Sequence, residues 1–348
     1  MSADLTSRAV QAYDANPEHA FYRPDPAIPK NMMVELSNAC NHACIFCTNP
    51  HMQRKIGRIN TELLSKVMVE AYQLGVREIG FYTTGDPFIH KDLEKFTREA
   101  AAIGYEYLYI STNGALATPD RAKAVIDAGM SSIKFSVNAG TRETYQLIHG
   151  RDDWDKVMEH IRFIAEYRKT LDRPLKLFAT CVVTQQNAHE TELLRAELQD
   201  VVDDIFFIDC GNQSGQMVAA ETLLRPIEGL NNNPAGKGIC PLPFNRLHLT
   251  CEGYLTMCCV DYQNYLAVAD LNTHSLKDAW LSPDFVQMRQ RHLDQKLEGT
   301  LCGNCWNNRC DAIAPVLPQL AAEIDFAGLY NQQVDKVEAK LAVHAALS

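Results

Sequence analysis

No stretch of this 348-residue chain is apolar enough to read as a transmembrane helix, and its N-terminus, "MSADLTSRAVQAYDANPEHA", lacks the apolar core of a secretion signal. A cytoplasmic protein is the expectation that follows. Positive charge is not in excess either: 33 Lys and Arg face 43 Asp and Glu, for a net charge of −10. Nucleic acid and anionic membrane are therefore not expected partners. Low-complexity tracts are absent, as is any internal repeat beyond a βα rhythm. Cysteine is missing from most of the chain, and none follows Cys310. Of the twelve present, three fall at 40, 44 and 47, seven lie between 240 and 310, and only Cys181 and Cys210 stand between. A reducing compartment argues against a disulfide framework, so this clustering points to two metal sites.

After a lead over 1–30, "NMMVEL" (31–36) reads as a buried strand that feeds the first cysteine loop. "INTELLSKVMVEAYQLG" (59–75) is helical in period, with Asn60 or Thr61 as its cap. Strand and helix patterns then alternate through "REIGFYT", "KDLEKFTREAAAIG", "EYLYIST", "PDRAKAVIDAG", "SSIKFSV", "DDWDKVMEHIRFIAEYRKT", "LKLFATCVVT", "HETELLRAELQD" and "DDIFFID". Six strands alternating with helices predict an α/β fold with a parallel sheet, a partial (β/α)6 barrel over 31–211. Residues 212–239 read as a linker. A smaller cysteine-rich domain of β-hairpin and helix follows over 240–315, its hairpin turning at Glu252-Gly253 and its helix broken by Pro283. A helix closes the chain over 316–348.

The loop "CNHACIFC" holds Cys40, Cys44 and Cys47 in C-x3-C-x2-C spacing. Thiolates converging in one loop suit either iron–sulfur or zinc, and spacing alone leaves both open. The loop's place after the first strand of a βα array matters, because such folds carry active sites at that end. Here the sequence resembles the radical S-adenosylmethionine (radical SAM) superfamily, with Phe46 as the aromatic residue before the third cysteine. The resemblance implies a [4Fe–4S] cluster on the three thiolates, with S-adenosylmethionine chelating the fourth iron. It also implies reductive cleavage of that cofactor to a 5′-deoxyadenosyl radical, and a flavodoxin or ferredoxin-type electron donor.

The same resemblance nominates the cofactor-binding residues. "TTGDP" (83–87) stands where the family carries a Gly-Gly-Glu-Pro-like turn, giving Gly85, Asp86 and Pro87. "ISTNG" contributes Ser111 and Asn113, and "KFSVNAG" contributes Ser136 and Asn138, which share one face of a strand. Arg151 is a candidate for the cofactor carboxylate, and "VVTQQN" (182–187) would flank the adenine.

Among the later cysteines, Cys302-x2-Cys305 forms a knuckle that can pair with hairpin thiols to bind zinc or iron–sulfur. The resemblance extends to the SPASM and twitch groups of the superfamily, which carry auxiliary [4Fe–4S] clusters in such a domain. A full SPASM pattern needs cysteines beyond Cys310, which this chain lacks, so one auxiliary cluster on Cys240, Cys258, Cys302 and Cys305 is expected, with two as the alternative. Cys310 is left as a ligand or as a catalytic thiol that returns hydrogen to a substrate radical. Peptide-maturing members of the family often carry an N-terminal recognition domain, and sulfatase-maturing ones the full seven-cysteine pattern. With about 30 residues before the first strand and no such pattern, the resemblance implies a small-molecule substrate (a sugar, cyclitol or nucleotide-linked alcohol) undergoing dehydrogenation or epimerisation. A peptide maturase is the alternative within the superfamily. A zinc scaffold or an electron-transfer protein is the non-enzymatic one.

Overall fold

The structure, a computed structural model, describes residues 20–224, 239–307 and 309–347. Its six predicted βα strands form where their apolar runs occur: β1 Asn31–Val34, β2 Glu78–Gly80, β3 Tyr107–Thr112, β4 Ser132–Ser136, β5 Lys176–Val183 and β6 Asp204–Asp209. Each pairs in parallel with its sequence neighbour, so the order runs 6-5-4-3-2-1 as an open barrel. The helices between them are α1 Thr61–Gln73, α2 Leu93–Ile103, α3 Pro119–Asp127, α4 Arg142–His149, α5 Trp154–Tyr167 and α6 Thr191–Leu198. Asn60 supplies the cap of α1, its side chain accepting from the Leu63 N–H at 2.9 Å. The stripe Leu63, Leu64, Val67, Met68 and Ala71 turns that helix onto the sheet.

Period-two alternation divides the strands between two environments. Met32, Val34, Ile79, Phe81, Ile110 and Phe135 are fully buried beneath the helices. The residues between them on the concave face, such as Tyr109, Ser111, Lys134 and Ser136, keep part of their surface. The concave side is thus a lumen rather than a packed core.

The cysteine-rich segment is not a separate layer. Its strands β7 Arg246–Leu249, β8 Tyr254–Thr256 and β9 Ala267–Asp270 extend the barrel sheet, with β7 parallel to β1 (Met33 opposite His248) and the next two antiparallel. The hairpin turns through Gly253, whose φ of +94° is a left-handed conformation suited to glycine. Short α7 Leu242–Asn245 precedes the hairpin, while α8 Leu276–Trp280, α9 Pro283–Leu293, α10 Leu301–Asn307 and α11 Phe326–Leu347 follow it. Pro283 opens α9, where its missing N–H has no intrahelical role.

Four elements were not anticipated: α4, α7, β9 and α10. Part of the expected linker, 225–238, lies outside the described residues. The rest of it is built into the fold, because a π-helical turn over Ala220–Leu224 packs with Met217 and Ala219 against Ile45 and Phe46 of the first cysteine loop. None of the helices among the described residues is long and apolar enough to cross a membrane.

Candidate active site

The first cysteine loop leaves the C-terminal end of β1 and is held from several sides. The turn containing Gly85 presses on it so closely that a Cβ there would stand 2.3 Å from the Ser37 carbonyl oxygen and 2.4 Å from that of Ala39. Glycine is the residue that fits. The end of α4 supplies backbone bonds, with Ala43 N–H donating to His149 O at 3.1 Å and Ile45 N–H to Ile148 O at 2.9 Å. Lys340 of α11 donates to Ala43 O at 2.9 Å. Behind the loop, Phe46 is buried among Ile45, Ile148, Cys210, Met217 and Val337.

Each of the three sulfurs meets a donor. Asn113 Nδ2 lies 3.8 Å from Cys40 Sγ, His149 Nδ1 lies 3.7 Å from Cys44 Sγ, and the Asn49 N–H donates to Cys47 Sγ at 3.4 Å. The Tyr262 hydroxyl lies 3.5 Å from Cys47 Sγ as well. Burial raises the free thiols, Cys40 to about 12 and Cys44 well above the ordinary thiol value, so they stay protonated until metal displaces the proton. Donors aimed at sulfur suit metal-bound thiolates. Among the described residues these three sulfurs do not gather within 4.8 Å of one another, whereas a zinc tetrahedron with 2.3 Å arms requires about 3.8 Å between them. The donor set and its spread fit an iron–sulfur cluster better than a single zinc ion.

Histidine orients part of this shell. The Asn138 backbone N–H can only donate, so His149 Nε2 at 3.1 Å is its acceptor and the ring proton belongs on Nδ1. That Nδ1–H faces both His42 Nδ1 at 3.2 Å and Cys44 Sγ. His42 passes its own Nε2–H to Asp153 Oδ2 at 3.1 Å. Burial keeps both rings neutral, His149 most strongly, and Tyr145 stacks on His149 with ring centroids 4.0 Å apart.

The other nominated residues fall as follows. Asp86 is buried, and its carboxylate accepts from Phe88 N–H at 2.9 Å, Thr112 Oγ1 at 2.8 Å and Asn113 N–H at 2.8 Å. Its oxygens thus clamp the 83–87 turn to the end of β3. Pro87 starts a short 3-10 turn beside it. Asn138 Oδ1 accepts from Val182 N–H at 2.7 Å, which ties β4 to β5. Ser111 and Ser136 sit half-exposed on the concave face, and Arg151 is exposed between α4 and α5. Within 182–187, Gln185 N–H donates to Leu224 O at 2.9 Å and Gln186 Nε2 to Leu223 O at 3.2 Å, so this segment braces the π-helical turn.

Glu35, just after β1, is a structural ion. It accepts from Arg54, from Thr84 and from the Cys251 N–H at 2.9 Å. Burial alone would raise its carboxyl, but the Arg54 charge and these bonds outweigh that and hold it below the usual range. Arg54 also reaches Asn264 at 2.7 Å and Glu252 at 3.3 Å, which fastens the cysteine loop to the hairpin.

The second cysteine group assembles around the hairpin. The charges of Cys240 and Cys305 bear on Cys302, and those of Cys240 and Cys259 bear on Cys258. Cys259 bears in turn on Cys305, Cys240 and Tyr262. Spacing had not singled out Cys259; a paired Cys-Cys at a hairpin end was the available signal. Cys310 is half-buried near Glu221 and Tyr330. Tyr262 therefore stands between the two groups, touching Cys47 and feeling Cys259.

The Radical SAM superfamily model matches residues 34–194, and an iron–sulfur cluster-binding domain, SPASM, matches 240–306. A probable GTP 3',8-cyclase of Saccharolobus solfataricus is 32% identical over 166 residues, 46% of this chain and 50% of that protein. A PqqA peptide cyclase of Bradyrhizobium diazoefficiens is 28% identical over 165 residues, 47% of this chain and 41% of that protein. The chain thus matches about half the length of these curated relatives. Among solved structures, Streptococcus suis SuiB bound to precursor peptide SuiA aligns with a TM-score of 0.60 at 13% identity, covering 83% of this chain and 73% of that one. BtrN in complex with AdoMet and 2-DOIA aligns with a TM-score of 0.53 at 18% identity, covering 84% and 97%. At such identities the likeness is one of fold.

Proposed function

This chain belongs to the radical SAM superfamily, with a SPASM iron–sulfur domain after its partial barrel, and from that premise we propose that it abstracts hydrogen from a small molecule held in the lumen. Its cofactors are S-adenosylmethionine, a [4Fe–4S] cluster that binds it, and auxiliary iron–sulfur. When bound, the first cluster supplies the electron that cleaves S-adenosylmethionine to a hydrogen-abstracting carbon radical.

The chain's own residues set the conditions for that chemistry. Cys40, Cys44 and Cys47 would hold the first cluster, with Asn113, His149 and Asn49 directed at their sulfurs. Gly85 and Asp86 fix the turn that abuts it. Cys240, Cys258, Cys302 and Cys305 would hold the auxiliary cluster.

The observation that carries the reading is Tyr262, which touches Cys47 on one side and feels Cys259 on the other. A substrate beside it would lie near both metal groups, where an auxiliary cluster, when bound, would supply an electron acceptor. The outcome is dehydrogenation of a sugar, cyclitol or nucleotide-linked alcohol. Cys310, half-buried near Glu221, is the candidate thiol for a hydrogen-returning epimerisation. The likeness to SuiB, a structure solved with its precursor peptide, favours peptide modification as a second reading.

The test is anaerobic reconstitution, reduction with dithionite and assay for 5′-deoxyadenosine. Product from the reduced protein is expected, with about eight iron per chain for one auxiliary cluster or about twelve for two. A cluster-replete sample that forms none, with candidate alcohols and peptides present, would sink the reading.

A further inference from the structure

We propose that Lys134 binds an anionic group of the substrate, a carboxylate or a phosphate, inside the lumen. The inference rests on the reading of the lumen as the substrate chamber and adds a chemical class to it.

Lys134 sits on the concave face of β4, in register with Ser111 of β3 and Phe178 of β5. Its ammonium lies 5.3 Å from the centroid of the Tyr82 ring, which meets Tyr109 edge-on at 5.8 Å. Arg246 approaches from β7, and its charge bears on Lys134, Tyr82 and Tyr109. Cys259, of the second cysteine group, also bears on Lys134. Two cations, two phenol rings and an edge of the metal-binding region therefore share one chamber.

The carboxylate nearest the base of this face, Glu78, accepts from Asn31 Nδ2 at 2.9 Å. Neither it nor any other carboxylate among the described residues comes within salt-bridge distance of Lys134 Nζ, and no hydrogen bond to that nitrogen is present among them. An ammonium partly withdrawn from water without an anion is unfavourable, and this is relieved either by losing the proton or by gaining a counterion. Burial pushes Lys134 down to about 8, with Arg246 adding to the fall and Cys259 opposing it. At neutral pH the group is still mainly charged. A ring face stabilises a cation only partly, so an anionic substituent is the ligand that completes the site. A neutral polyol would leave the Lys134 ammonium without a counterion.

The test uses the reconstituted holoprotein with S-adenosylmethionine, under anaerobic conditions, and reads acetylation of individual lysines by peptide mass spectrometry at pH 8, close to the value burial imposes on Lys134. Inorganic phosphate and acetate are the probes, with chloride at equal ionic strength as control. Lys134 should react without a probe and be protected saturably by about fivefold, the effect of a one-unit rise in pKa on the free-amine fraction at pH 8. The exposed Lys66 and Lys95 should not change. Stronger protection by phosphate assigns a phosphorylated substrate, stronger protection by acetate a carboxylate, and equal protection the shared chemistry. Protection no better than chloride, or no labelling of Lys134 without a probe, would overturn the proposal. Because amine protection does not require radical chemistry, a sample that protects Lys134 but never cleaves S-adenosylmethionine would refute the functional reading alone. The converse result would refute this one alone.

Discussion

The Nδ1 atoms of His42 and His149 lie 3.2 Å apart, so one of these buried rings must donate and the other accept. The Asn138 N–H decides which, making His149 the donor toward His42 and toward Cys44. A neutral ring that directs its proton at a cluster thiolate favours the reduced, more negative state. Replacing His149 with Phe should keep the Tyr145 stack but remove that donor. It would also leave the buried Asn138 N–H unpaired, at about 1–3 kcal/mol. Chemical denaturation should show the lost stability. A redox titration followed by electron paramagnetic resonance should show a lower potential, on the order of 59 mV for each tenfold change in the reduced fraction. An unchanged potential would make the ring a packing element only.

Gly85 faces the backbone of the cysteine loop with no room for a methyl group. Gly85→Ala should therefore displace the 37–39 segment and the first cysteine with it. Iron analysis after reconstitution should fall by about four atoms per chain, with the auxiliary iron retained. Full iron loading of this variant would contradict the assigned contact.

Cys258 and Cys259 are adjacent yet differ in surroundings. Cys259 is drawn well below the usual thiol range, chiefly by its bond from Cys258 and then by His248, while Cys258 is pushed up by the same bond and by burial. With Cys258 as the ligand, Cys258→Ser should remove the auxiliary cluster's iron, about four atoms per chain, and Cys259→Ser should not. The reverse pattern would move the ligand one residue along.

Asp203 offers a check on the scaffold, remote from the cysteines. Burial tends to raise its carboxyl, but the Leu177 N–H at 2.7 Å, the Lys176 ammonium at 3.2 Å and the Arg168 charge outweigh that and hold it below the usual value. A depressed pKa in the folded state stabilises the protein above the unfolded carboxylate's pKa, about 3.9. That contribution is lost as pH falls through the folded value. The stability gap between the native chain and Asp203→Asn should be constant near neutrality and shrink in acid. A gap that persists at the lowest pH would mean the side chain acts through shape rather than charge.

Much of the fold was legible because its signals are local. The stripe Leu63, Leu64, Val67 and Met68, the cap at Asn60, and the break at Pro283 each mark an element within a few residues. Helix α4 was missed because "RETYQLIH" has only two turns and runs close to the longer pattern that follows. Its loss from the reading also hid His149, a ring whose role depends on contacts with residues 107 positions away and on a backbone N–H.

What the sequence determined by itself was the covalent pattern: three cysteines after a first strand, a second group far downstream, and alternation that forces six parallel strands. Those follow from spacing and period, which one chain displays without folding. Tertiary structure decided the rest. It joined the hairpin to β1 so that one sheet serves both cysteine groups, turned Asp86 and Asn138 into clamps between strands, and placed Lys134 and Arg246 in one lumen. These depend on which distant side chains meet after the sheet curves, and no periodicity encodes that meeting.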